Sequence, residues 1–346
     1  MNGIASLPEI VQKLEESPRW VRKLPGDPRR FLLECEEPYT IYRTLTDIFE
    51  LPPTYSAAME MRSLVLKDKL VNQLVARLPS DWESYLVKGH DKVDYPPSIL
   101  LLLFDFGVKS SDFPEIQTLL DQMRVLHDEE GRFLSLAQFP KSDPVIGSSP
   151  CDTHIISEAI ALGHGKTHEV EKAMAYLEAN LKETSQGIAW KCEPNSVSKA
   201  RGPGRKDDIC PQVTVEALRL YSHFPDDMHP SALLSAGNTL LDCYSAEDRH
   251  RPYMFGHGSG FKKLRPPFFW YNIGEVLDTT SRYPSLTEHT AFKDMISILL
   301  TKADENGLFT PESVYRDFKD WSIGQKKEWS PWTTFYVSRI LKRTFG

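Results

Sequence analysis

The 346 residues, 40% hydrophobic and 26% charged, provide enough apolar material for a core and lack the signatures of disordered or collagen-like chains. A net charge of −7 argues against a general nucleic-acid binder, because such binding is driven largely by phosphate neutralisation. The longest apolar run, 99–106, is broken by Asp105 and too short to cross a bilayer, and no cationic stretch followed by an apolar run opens the sequence, so a cytoplasmic location is expected.

Six segments open with proline and continue as apolar or aromatic runs. In chain order they are PYTIYRTLTDIF from Pro38, PSILLLLFDFG from Pro97, PCDTHIISEAIALG from Pro150, PQVTVEALRLYS from Pro211, PFFWYNIGEVLDTTS from Pro267 and PWTTFYVSRILKR from Pro331. Successive prolines are 59, 53, 61, 56 and 64 residues apart. Proline suits a first helical turn, where its missing N–H would have had no partner and its φ is already helical, so each proline predicts a helix start. Amphipathic segments at 9–23, 57–78, 114–129, 168–183, 230–244 and 290–304 predict six more helices. Several of these end in an acidic or polar turn, then glycine, then an aromatic: DEEGRF at Gly131, SQGIAW at Gly187 and DENGLF at Gly307. Glycine supplies the left-handed turn and the aromatic folds back over the joint.

The proline-led helices are apolar nearly all round and the others carry a charged stripe, which predicts an inner and an outer layer. The expected fold is all-α, an (α/α)6 toroid of six helical hairpins spanning 1–346 as one domain. An open solenoid of the same hairpins is the competing arrangement, and six units at this length favour the ring.

If the inner helices run parallel, their N-termini and the loops leading into them share one face with a positive dipole end. Basic, glycine-rich loops precede three of the starts: RGPGRKDD at 201–208, HGSGFKKLR at 257–265 and IGQKKEW at 323–329. Arg201, Arg205 and Lys206 with Gly202 and Gly204 have the makings of a phosphate cradle. Aromatics crowd the same region, among them Tyr39, Tyr42, Tyr95, Phe268, Phe269, Trp270, Tyr271, Trp329 and Trp332, and can wall an apolar cavity, shield a cation, or simply pack a core.

The five cysteines are odd in number and irregularly spaced, which argues against a disulfide framework. Cys151, Asp152 and His154 open the third inner helix, while Cys192, Asp207, Asp208 and Cys210 precede the fourth. Zinc is therefore a candidate cofactor, held by Asp208, Cys210 and His154 with Cys151 or Cys192, although no CxxC pair is present. Candidate acid–base groups are Asp152, His154, Asp208 and His257, with His90 and Asp91 nearby in the same region.

With these hairpins and turns the chain resembles the toroid superfamily of terpenoid cyclases and protein prenyltransferases, whose glutamine–tryptophan repeats the three glycine turns resemble in degenerate form. GRKDDIC at 204–210 is similar to the prenyltransferase stretch in which arginine and lysine hold an isoprenoid diphosphate and an Asp-x-Cys pair binds zinc. The resemblance implies that Arg205 and Lys206 face diphosphate and that Asp208 and Cys210 face metal. The family's zinc histidine opens the next inner helix, which here reads PPFFW, so His257 or His154 would have to replace it. The Asp-x-Asp-Asp acid of squalene-cyclase-type enzymes is absent from the sequence.

The expected function is prenyltransferase- or terpene-cyclase-like: an isoprenoid diphosphate enters an aromatic-lined barrel, and Arg205, Lys206, Lys262 and Lys263 stabilise the leaving group while Trp270, Tyr271 and Trp332 contact the chain. The alternatives are a non-catalytic toroid that binds or scaffolds, and a carbohydrate-active hydrolase or lyase with paired carboxylates such as Asp91 and Asp152.

Overall fold

The structure, a computed structural model, describes residues 4–138, 143–202, 204–246 and 251–346. Its helices follow the chain as α1 (Pro8–Glu15), α2 (Arg29–Glu34), α3 (Pro38–Arg43, continued by a π-helical turn Thr44–Ile48), α4 (Ser56–Val65), α5 (Lys69–Val75), α6 (Pro96–Asp105), α7 (Pro114–Val125) and α8 (Pro150–His164). They continue as α9 (His168–Ala179), α10 (Pro211–Tyr221), α11 (Leu233–Ser245), α12 (Ile273–Thr280), α13 (Pro284–Thr287), α14 (Thr290–Leu300) and α15 (Pro331–Phe345). Five of the six inner helices begin with proline in the first turn, as the repeat predicts.

The fifth does not. Pro267 follows a cis peptide bond and leads into an irregular segment with Phe268 at φ 63°, and α12 starts at Ile273 instead. Asn272 caps it, its side-chain oxygen accepting from the N–H groups of Gly274 and Glu275 at 2.9 and 3.1 Å. Two expected outer helices are also broken. The segment 57–78 divides at Asp68, which caps α5 by accepting from Leu70 and Val71. The segment 9–23 ends its regular helix at Glu15, where Arg29 reaches back to the carbonyls of Lys13, Leu14 and Glu16.

The inner helices α3, α6, α8, α10, α12 and α15 form a ring that closes on itself. Consecutive members from α6 to α15 pack side by side, and α15 packs against α3 and α2. At the seam Tyr39 stacks on Phe106 at 4.1 Å and meets Trp332 edge-on at 5.7 Å, and Lys342 donates to the Asp47 carbonyl at 2.7 Å. These contacts exclude the open solenoid. Outside lie α1, α4 with α5, α7, α9, α11 and α14, whose inward faces alone are buried, whereas α10 is buried at every position but Arg219. The left-handed glycines sit where the turns require them. Gly131 has φ 90°, Gly187 137° and Gly307 78°, and the aromatics that follow, Phe133, Trp190 and Phe309, are almost wholly buried.

Helix direction is common to the ring. Tyr95, which caps α6, donates to Asp152 in the first turn of α8 at 2.6 Å, and Gln212 at the start of α10 accepts from the Tyr271 N–H before α12 at 2.7 Å. The connections into the inner helices are long, at 76–95, 126–149, 180–210, 246–272 and 301–330, and those leaving them are short. The long ones carry the small amount of sheet. Strands β1 (Leu86–Val87) and β2 (Ser135–Ala137) pair in parallel, β3 (Val145–Gly147) adds antiparallel to β2, and β4 (Lys182–Glu183) pairs with β5 (Ile188–Ala189).

Candidate functional site

The long connections close the end of the ring at which the inner helices start. A central cavity of about 510 Å³ remains, lined by residues from all six inner helices. Its depth is set by Ser98, Pro267, Phe268 and Phe269, of which the first three are buried, and its rim holds partly exposed Arg43, Asp105, Leu162, His223 and Arg343. The mouth therefore lies at the carboxyl ends of the inner helices, opposite to the end expected from the sequence. The reason is loop length: short exits leave that end open and long entries plug the other.

The wall has two characters. Leu101, Leu102 and Phe104 of α6 and Ile155 and Leu162 of α8 form an apolar side, and across from them stand Arg219, Arg282, Asp278, Arg339 and Arg343. In all, five guanidiniums and three carboxylates line the cavity. Asp278 accepts from Arg282 at 2.8 Å, Arg339 at 3.1 Å and Arg343 at 2.9 Å. Burial alone would raise its carboxyl, but three guanidiniums hold it well below the ordinary carboxylate range. Arg339 also pairs with Asp105. Burial draws Arg343 down to about 10 despite Asp278, with Arg282 and Arg339 crowding the same aspartate.

Deeper in the ring, Arg219 donates to Glu158 at 2.7 Å and to Glu275 at 3.0 Å, and His223 meets Glu158 at 3.0 Å. Burial opposes ionisation of Glu158, yet Arg219 and His223 carry it down to about 2. Glu275 and Glu216 go the other way: burial pushes them up to about 7 and about 8. Gln212 donates to Glu216 at 2.7 Å and to Glu275 at 3.4 Å, and each glutamate keeps one buried oxygen without a partner among the described residues.

Of the residues the sequence points to, Phe268 and Phe269 line this cavity, whereas the expected acid–base, diphosphate and metal groups do not. Arg205, Lys206 and Lys263 are exposed on the plugged end, and Lys262 lies over the Tyr244 ring at 5.9 Å. Trp332 is core, packed on Tyr39, Phe106 and Phe335. Trp270 is half-buried and Tyr271 buried in an aromatic group with Phe255, Phe261 and His257. His257 contacts the Tyr271 hydroxyl at 3.1 Å, and burial pushes its imidazole down to about 4. Asp152 is fully buried and holds Tyr95, Ser135 at 3.0 Å and His90 at 2.9 Å. Burial would lower the His90 imidazole, but Asp152 raises it. Asp91 is at the surface beside Lys92, so it and the enclosed Asp152 do not form the facing pair a glycosidase needs.

The five candidate zinc ligands divide among different tasks. Asp208 accepts from Gln186 at 3.0 Å and from the Tyr253 N–H at 3.0 Å, joining two loops. His154 turns Nδ1 to the Pro150 carbonyl at 2.6 Å and lies edge-on to Trp190, and burial pushes it down to about 4. Cys151, Cys192 and Cys210 are near neighbours of one another. Among the described residues no group of three or more histidine, cysteine or acidic side chains is disposed to hold a metal.

The cavity residues have a signal in the sequence. Counting from the prolines, the eighth following residue is Asp105, Glu158, Arg219, Glu275 and Arg339 in five of the six repeats, a charge recurring within otherwise apolar helices. Asp105, Glu158, Arg219 and Arg339 line the cavity, and Glu275 pairs with Arg219.

No protein-family model matches the chain, and no curated protein matches it significantly. Among solved structures it is similar to a type II terpene cyclase from Scytonema in complex with its substrate, geranylgeranyl dihydroxybenzoate. The identity is 14% and the TM-score 0.41, over 89% of this chain and 87% of that one.

Proposed function

We propose that the protein binds an amphipathic anion of the isoprenoid diphosphate type in the central cavity and acts on it there as a transferase or cyclase. The observation that carries this reading is the mixed wall: five guanidiniums and three carboxylates set among aliphatic and aromatic side chains. The volume falls within the usual range of about 300–1,000 Å³ for small-molecule sites. Guanidiniums suit a diphosphate because their paired donors match its oxygens, and in a water-poor cavity they stabilise charge developing on a leaving group. Phe104, Phe268, Phe269 and Tyr336 add aromatic rings to the lining, the residue type that stabilises a cationic hydrocarbon. Glu275 and Glu216, held protonated toward neutrality by burial, are the interior acids nearest in character to a proton donor.

A second reading, a ring that binds nothing at its centre, is favoured by one fact: every lining guanidinium already has a carboxylate partner. Thermal shift separates the two. Farnesyl or geranylgeranyl diphosphate should raise the melting temperature more than farnesol or inorganic diphosphate does. Arg343→Ala, at the rim, should abolish most of that rise, and Arg205→Ala with Lys206→Ala should leave it intact. A parent protein indifferent to all these ligands sinks the proposal and leaves the structural ring.

A further inference from the structure

At the plugged end of the ring the chain brings two thiols together. The segment leaving β5 and the segment entering α10 are joined by an antiparallel bridge between Lys191 and Ile209 and by the Cys210 N–H donating to the Trp190 carbonyl at 2.8 Å. This makes Cys192 and Cys210 diagonal neighbours across the bridge, close enough for each to act on the other's thiol. The Gly202 N–H donates to the Cys192 sulfur at 3.3 Å. A side chain at position 202 would begin 3.0 Å from that sulfur, so glycine permits the approach. Cys192 is half-exposed, whereas Cys210, the N-cap residue of α10, is buried.

A backbone N–H aimed at the sulfur favours its charged form, and partial exposure lets a small oxidant reach it. A second thiol alongside is the arrangement that turns a first oxidation into a crosslink. Nothing in the cavity mechanism uses either group.

We propose that Cys192 and Cys210 are a redox pair, oxidised by a small hydroperoxide to a disulfide that ties the β5 exit to the start of α10. With hydrogen peroxide, the Cys192 sulfur attacks one oxygen, the O–O bond breaks, and the departing hydroxide takes a proton to leave as water. Sulfur loses two electrons and the peroxide gains them. The Cys210 sulfur then attacks the Cys192 sulfenic sulfur, the S–S bond forms as the S–O bond breaks, and a second water carries off the Cys210 proton. The crosslink closes the loop bearing Arg201, Arg205 and Lys206.

The test exposes the fully reduced chain to a small molar excess of hydrogen peroxide, blocks remaining thiols and maps the peptides by mass. The expected product is lighter by two hydrogens, joins Cys192 to Cys210 and returns to the starting mass with a dithiol reductant. Cys210→Ser should stop at a Cys192 sulfenic acid trapped by dimedone, and Cys192→Ser should leave Cys210 unoxidised at that dose. A parent with both thiols free after treatment, or a crosslink made by Cys151 instead, overturns the proposal.

Discussion

Single side chains in this ring do opposite electrostatic work, and pH separates them. Glu216 is raised by burial from its ordinary 4.5 to about 8. The folded protein therefore keeps its proton while the unfolded chain loses it. The stability this contributes is complete below about pH 4.5 and is lost as pH rises toward 8, at about 1.4 kcal/mol per pH unit. Glu216→Gln should thus gain on the parent in denaturant titrations between pH 5 and 8, by roughly 4 kcal/mol at the upper end, and gain no more beyond. A difference that does not vary with pH would show that Glu216 ionises in the folded ring. Glu158 runs the other way, since Arg219 and His223 hold it near 2 and its contribution disappears as pH falls below 4.5. Neither behaviour was legible from residue type. Both are glutamates on inner helices, but Glu158 is bonded by Arg219 and His223, whereas Glu216 is bonded by the neutral Gln212. The expected phosphate cradle, Arg205 and Lys206, lies away from the central cavity, because nothing in sequence states which end of the ring stays open.

Among the elements, helix starts were the most legible feature because proline has a local physical cause for its position. Pro38, Pro150, Pro211 and Pro331 each open a helix as expected, and the second inner helix starts one residue early, at Pro96. Pro267 misled because the residues after it are aromatic and apolar like the other runs, while the cap that starts α12 is Asn272. Asn272→Ala should therefore lower stability by about 1 kcal/mol, the usual loss for an N-cap, and Pro267→Ala should leave the start of α12 unmoved by hydrogen exchange. Gly307→Ala should be harsher. At φ 78° an added Cβ meets the Gly26 backbone, so the loss should exceed the about 1 kcal/mol of an ordinary glycine replacement. The short strands went unforeseen because two- and three-residue pairings leave no periodic trace.

For the whole molecule, repetition predicted a ring and the seam between α15 and α3 establishes it. The direction of the mouth needed the unequal connection lengths, which proline spacing averages away. A chain ending before Pro331 loses the helix that supplies Arg339 and Arg343 to Asp278. Such a truncation should leave the buried Asp278 without two of its three cations, and it should bind hydrophobic dye and lose cooperative melting; a sharp transition like the parent's would show that five hairpins suffice.

The Arg339–Asp105 pair spans 234 positions of the chain. On a ribosome, emerging hairpins can stack in sequence, but Asp105 waits for that arginine while 234 further residues are made, and Asp278 while 61 are. The centre is thus completed only by the last of the six hairpins, and the apolar flank awaiting α15 is where a chaperone would be needed longest.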